Sequence, residues 1–319
     1  SITSLDKNEI FIEVENLIVL LIDKLDFGYD YESYFNFLCE MRSSIYEMQG
    51  VIERIIYEVQ KICYNTYNIL KGKNSKKTLR FIKVCVAFCQ ITIPSLRSKQ
   101  KKVNLFIETA SIALTNNLIS ESDSVIKNAI NIVNEIFSED MGSSFSFSSQ
   151  GARNLLNMLR KLLSLLVVVP GNPDSPFQII QGLINIFGEA EKHNKNFNKL
   201  MFVLSVFLDS AKYLTTQIQI AFPYHVTNVD SNDEIFCGEE NYMEEGKKLI
   251  NFLVGECLSG LESMSSNVET MKKEKLVGSY GQYLIELKHS MERYFKMTKS
   301  TRMVHAKLED LIEKSQKMK

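Results

Sequence analysis

Residues 224–242, YHVTNVDSNDEIFCGEENY, gather Asp230, Asn232, Asp233 and Glu234 around Ser231, with Gly238, Glu239 and Glu240 close behind. Oxygens at this density suit three jobs: holding a hard cation, pairing carboxylates for acid–base work, or capping a helix. A calcium loop of the EF-hand type needs oxygens at positions 1, 3 and 5, glycine at 6 and glutamate at 12. Counted from Asp230, position 6 is Ile235 and position 12 is Asn241. The pattern fails at the turn and at the bidentate ligand. The stretch reads as a connector in which Asp and Asn bond nearby backbone, with the acids near 239–245 favouring the start of a helix.

A second stretch, KGKNSKKT at 71–78, has the outline of a phosphate loop. It lacks the second glycine before the Lys-Ser/Thr step and has no strand in front of it. It does open a run of one sign. From Lys71 to Lys102 there are ten Lys or Arg, at 71, 73, 76, 77, 80, 83, 97, 99, 101 and 102, and no acid. Solvated helix ends account for such a run; contact with anionic lipid or an acidic partner would require these residues to share a face.

Other constellations stop short of chemistry. His193, His225, His289 and His305 form no metal-binding pair on one helix, and there is no Gly-x-Ser-x-Gly elbow. Asp23-Lys-Leu-Asp26 supplies two carboxylates where helical prenyl-chemistry enzymes use three. The six cysteines (39, 63, 85, 89, 237 and 257) contain no C-x-x-C and read as reduced, buried thiols. Cys85 and Cys89 share a helix face, but without a second ligand pair they make a poor zinc site. The residues therefore predict no catalytic residue, no cofactor and no metal.

The elements that would position these groups are all helices. Phe11, Val14, Ile18, Leu21 and Leu25 form one apolar stripe; Leu200, Val203, Phe207, Ala211, Leu214 and Ile218 form another; Leu249, Ile250, Leu253, Val254, Cys257 and Leu261 a third. Val304, Leu308, Leu311 and Ile312 make a last short one. No two-residue alternation is sustained, and Asn-Gly and Asp-Gly are absent. The spacing predicts helices over 9–25, 31–44, 46–71, 76–93, 98–118, 122–137, 150–169, 175–192, 196–220, 241–262, 268–296 and 300–315, with a break near Gly278 and Gly281. Pro94 fixes a helix exit, and Ser95 is placed to cap the helix that follows. Roughly six antiparallel pairs with a period near HEAT repeats predict an all-α solenoid, a globular helical bundle being the other arrangement open to this pattern.

The 319 residues carry a net charge of −1, with 45% hydrophobic and 24% charged residues. That balance fits a folded protein and gives no bulk attraction to nucleic acid or acidic membrane. No uncharged apolar run reaches the ~18–20 residues of a membrane span. The chain begins with Ser1 and reads from the start like a domain interior, so 1–319 is expected to be a single solenoid fragment of a longer protein.

At 71–96 the sequence KGKNSKKTLRFIKVCVAFCQITIPSL resembles the corresponding stretch of the large subunit of retriever, a distant relative of the retromer large subunit. The shared positions are Lys71, Gly72, Ser75, Lys77, Thr78, Phe81, Cys85, Val86, Ala87, Cys89 and Ile91 through Leu96. NLFIETASIALTNNLISESD (104–123), VVPGNP (168–173) and VDSNDEIFCGEE (229–240) resemble that family in the same order. The Ser-rich 138–149 segment and the absence of tryptophan depart from it.

The resemblance implies a scaffold built from the family's C-terminal region. Its expected partners are a small subunit of metallophosphoesterase fold, an arrestin-like subunit held by an N-terminal half not present here, COMM-domain and coiled-coil subunits of the Commander assembly, and a sorting-nexin cargo adaptor. It implies cytoplasmic placement, peripheral on endosomes, in recycling of membrane cargo. Pro94, Ser95, Leu96, Asp230, Ser231, Asn232 and Asp233 are the candidate partner contacts. Another solenoid carrier, of nuclear-transport type, and a helical enzyme with dispersed residues are the competing readings.

Overall fold

The computed structural model describes residues 4–140, 145–169, 175–192, 196–218, 240–294 and 299–318. They form thirteen α-helices and no strand. In chain order these are α1 (Ser4–Lys24), α2 (Tyr31–Ser44), α3 (Gln49–Leu70), α4 (Lys76–Thr92), α5 (Lys99–Thr115), α6 (Ile119–Glu135), α7 (Gln150–Leu166), α8 (Gln178–Lys192), α9 (Phe197–Ile218), α10 (Glu240–Ser265), α11 (Val268–Lys273), α12 (Val277–Tyr294) and α13 (Lys299–Met318). The all-α expectation holds. One compact unit runs to Val133 and a second begins at Asn134, the boundary falling in the last turn of α6.

In the first unit α3 is the hub. It packs on α1, α2, α4 and α5, and α4 packs on α5. Each helix thus meets the one after it or the one after that, as in a stack of antiparallel pairs. The reason is in the sequence of α3: Val51, Ile52, Ile55, Ile56, Val59, Ile62 and Cys63 are buried, an apolar face wide enough for neighbours on both sides. Polar ties fix the register. Gln60, buried in this face, donates from Nε2 to the Leu105 carbonyl at 3.0 Å and to Thr109 Oγ1 at 2.9 Å, joining α3 to α5.

In the second unit α9 is the hub, touching α7, α8, α10 and α12, while α13 packs on α10 and α12. Of its 22 residues, 17 are buried, so it is enclosed nearly all round. Two glycines on α10 let it close in. A Cβ at Gly260 would lie 2.8 Å from Leu204 Cδ2, and one at Gly246 2.5 Å from Ile218 Cγ2. Tyr283 of α12 donates its hydroxyl to the Leu204 carbonyl, which also receives the Cys257 thiol at 3.6 Å.

The expected 268–296 helix is two helices, and the break precedes both glycines. Lys275 takes a left-handed conformation at φ +56°. The Leu276 N–H reaches back to the Met271 carbonyl at 2.9 Å and that of Lys275 to Lys272 at 3.2 Å. These are the two bonds of a Schellman stop. Gly278 and Gly281 lie inside α12. The same stop ends α3 at Lys71 and Gly72, and α5 at Asn117.

Candidate interaction site

Pro94 and Ser95 lie in a short 3-10 turn, Ile93–Ser95, that prolongs α4. Both are exposed. Ser95 does not cap α5. Its hydroxyl donates back to the Thr92 carbonyl at 2.7 Å, and the cap is Ser98, which accepts from the Lys101 N–H. The turn uses up the reach of Ser95 before α5 begins. Leu96 is only 4% exposed and anchors the turn in the first unit's core. Asp230, Ser231, Asn232 and Asp233 lie outside the described residues; the helix after them, α10, starts at Glu240.

The exposed turn continues a face of α4. Val84, Ala87 and Ile91 stand outward at three- and four-residue steps, Ile91 at 79% exposure, and Pro94 follows them. Toward the N-terminus the same side carries Lys76, Lys77, Arg80 and Lys83, all exposed. Part of the basic run therefore does share a face. It is also partly neutralised within the unit: Lys77 pairs with Glu32 at 2.8 Å, Lys83 with Glu121, and Lys101 of α5 with Glu53 at 2.6 Å. The Glu32 carboxylate accepting from Lys77 raises that ammonium's pKa. Burial is the largest single influence and works against the Glu121 charge, but the hydrogen bond and charge of Lys83, with hydrogen bonds from the Glu121 backbone and Ser120, together outweigh it and leave the carboxyl below its ordinary range.

Lys76–Ser95 also contains an 18-residue stretch with the length and hydropathy of a membrane span. It is the helix between α3 and α5, with Ile82, Cys85, Val86 and Cys89 buried and four cations in its first half. A buried face opposite an exposed one is the habit of a surface helix.

The remaining sequence candidates resolve into structural roles. Residues 71–78 join two helices, and Ser75 accepts from the Thr78 N–H at 3.2 Å, so the helix start that a phosphate would need is already capped. Asp23 pairs with Arg54 at 2.6 Å, while Asp26 accepts from the Gly28 N–H at 2.8 Å. Cys63, Cys85 and Cys89 are buried free thiols, and Cys39 is half-buried and free. The Cys63 thiol beside it, together with burial, pushes the Cys85 thiol far up, which makes it inert. Among the described residues no three His, Cys, Asp or Glu side chains are disposed to hold a metal.

Sequence reading missed one buried charge. Glu58 is 2% exposed, 2.6 Å from Arg54 and 3.1 Å from Lys61, and accepts from the Tyr34 hydroxyl at 3.2 Å. It borders a 160 Å³ cavity beside Ile22, Phe27 and Tyr31. Burial and the Glu58 charge push the Tyr34 phenol well above its ordinary range. An acid four after one cation and three before another is common on any helix surface, so nothing in the spacing set this one apart.

The family profile of the VPS35L C-terminal domain matches residues 1–292. The chain belongs to that family. It is 32% identical over 277 residues to a VPS35 endosomal protein sorting factor-like protein of Dictyostelium discoideum, covering 86% of this chain and 27% of that one. The Homo sapiens protein of that name is 29% identical over 268 residues, 82% of this chain and 27% of its own length. The Drosophila melanogaster protein is 26% identical over 253 residues, covering 79% and 26%. The chain thus spans about a quarter of the curated relatives it matches.

Proposed function

We propose that this chain is the C-terminal part of a non-enzymatic endosomal sorting scaffold, the large subunit of a retriever-like heterotrimer within a Commander-type assembly that recycles membrane cargo. The observation that carries the reading is the match of the VPS35L C-terminal domain over residues 1–292, with relatives named as endosomal sorting factors. On this reading the chain works peripherally on endosomes, through proteins: a metallophosphoesterase-fold small subunit here, and arrestin-like, COMM-domain, coiled-coil and sorting-nexin partners through the larger assembly. A helical array suits that work because it offers a long surface and no reactive centre.

The proposed contact for the small subunit is the outward face of α4, Arg80, Val84, Ala87 and Ile91, with Pro94 and Ser95 at its end. An apolar centre beside a basic rim suits a partner patch that is apolar with acidic neighbours. Asp230, Ser231, Asn232 and Asp233 are proposed as a second contact on the resemblance alone. The test is co-purification of the protein with the metallophosphoesterase-fold subunit, then with Ile91→Asp and Arg80→Glu. Capture by the unaltered protein and at least tenfold weaker capture by Ile91→Asp are expected. A well-folded protein that ignores this subunit, or captures a small GTPase in its place, would overturn the reading.

A further inference from the structure

Two hollows in the first unit share the loop between α1 and α2. One is the 160 Å³ cavity beside the buried Glu58, lined by Phe27, Tyr31 and Tyr34 and by the acids Asp23 and Asp26. The other, of 310 Å³, is lined by Tyr29, Asp30, Glu32, Lys77 and Phe81. Tyr31 lines both, so the two adjoin at that residue. The charges around them do not balance. Arg54 is taken by Asp23 and Glu58, Lys61 by Glu58, and Lys77 by Glu32. Asp26 and Asp30 remain. Asp26 accepts from the Gly28 N–H at 2.8 Å and Asp30 from the Ser33 N–H at 3.0 Å, and among the described residues no cation pairs with either. Asp30 and Glu32 also offset the positive end of α2.

The ligand chemistry that answers five acids against three cations is a cation. Aromatic walls favour a flat one: a guanidinium stacks on ring faces and still meets a carboxylate through its fork of N–H groups. The volume suits one such group, since ~150 Å³ in a protein core admits one benzene ring. Phe27 is already stacked on Tyr34, with ring centroids 4.9 Å apart, so this wall is in place before a ligand arrives. A free amino acid would also bring a carboxylate, and the three cations that would receive it are already paired. An arginine inside a polypeptide brings none. The adjoining hollow gives a neighbouring side chain of that polypeptide a place beside Phe81 and Tyr29, the latter 86% exposed.

We propose that the cavity beside Glu58 seats the guanidinium of an arginine carried on an extended segment of a partner protein, with Asp26 as its counter-ion and a neighbouring apolar side chain of that segment in the hollow beside Tyr29. The proposal goes beyond the sorting reading, and its test needs no partner subunit, so the two fail separately. The test is saturation-transfer NMR of the full-length protein with the blocked peptide acetyl-Gly-Arg-Gly-Leu-Gly-amide. A saturable signal at the arginine δ-methylene is expected, at least fivefold weaker for the same peptide with neutral citrulline in place of arginine, and at least fivefold weaker on Asp26→Asn. Asp26 is exposed and asparagine still accepts from the Gly28 N–H, so the helical circular dichroism of this variant should match the parent. Tyr29→Ala, at a side chain that packs on little, is the second variant and should weaken the leucine methyl signal at least twofold. No saturable signal, equal binding of the citrulline peptide, undiminished binding by Asp26→Asn, or free arginine binding as tightly as the peptide would each overturn the proposal.

Discussion

Buried tyrosines report on the packing of both units. Burial pushes the Tyr280 phenol up to about 12 and raises Tyr213 and Tyr283 as well; Tyr34 is raised by burial and by Glu58. A phenol whose folded pKa lies above its unfolded value of ~10 binds its proton more tightly when folded. Its contribution is whole below pH ~10 and drains away as pH rises through the folded value. Stability should fall above pH 10, and these four of the 13 tyrosines should ionise only as helical circular dichroism is lost. Tyrosinate absorbance recorded beside that signal decides it; ionisation of all 13 before unfolding would contradict it. Gly260 makes a second prediction. Gly260→Ala drives a methyl into Leu204, which is fully buried and cannot swing clear, and should cost about 1–3 kcal/mol in urea unfolding. The glycine's helical context was visible in the sequence. Its closeness to Leu204, 56 positions earlier, was not, because only folding brings the two together.

Helix starts were more legible than helix ends. The helices expected from 76 and 150 begin there, capped by Ser75 and Ser149, since a short hydroxyl side chain reaches the free N–H groups; at α5 the cap is Ser98 and not the expected Ser95. The ends were harder. Lys71, Asn117 and Lys275 occupy left-handed positions, and a lysine there carries no compositional flag. This is why the 268–296 span read as one helix with its break assigned to the nearest glycine. The energetic consequence is testable. Lys275→Gly removes the clash between Cβ and the neighbouring carbonyl and should raise stability by up to about 1 kcal/mol in chemical denaturation. The same change at Lys102, inside α5, should lower it by a similar amount. The candidate site was legible in part. The helix exit at Pro94 was anticipated, while the backward bond of Ser95 and the inward Leu96 were not, because position in a turn says nothing about which side faces the core.

At the scale of the whole molecule, twelve amphipathic stretches without strand signals were enough to read an all-α chain. Pattern alone could not place the change of unit at Val133 and Asn134, because α6 runs through it without a proline or glycine. The long-range order of each unit depends on one hub, and α9 is the more demanding of the two. Its surface is covered in part by α7 and α8, which are synthesised before it, and in part by α10 and α12, which come after. As the polypeptide leaves the ribosome, α9 therefore waits with part of its surface bare until Tyr294 has emerged, a window in which chaperones would find a ready client. Chains ended at Ile218 should accumulate as inclusion bodies. Chains ended at Tyr294, with α9 roofed over, should stay in the supernatant, and fractionating the two lysates compares them directly.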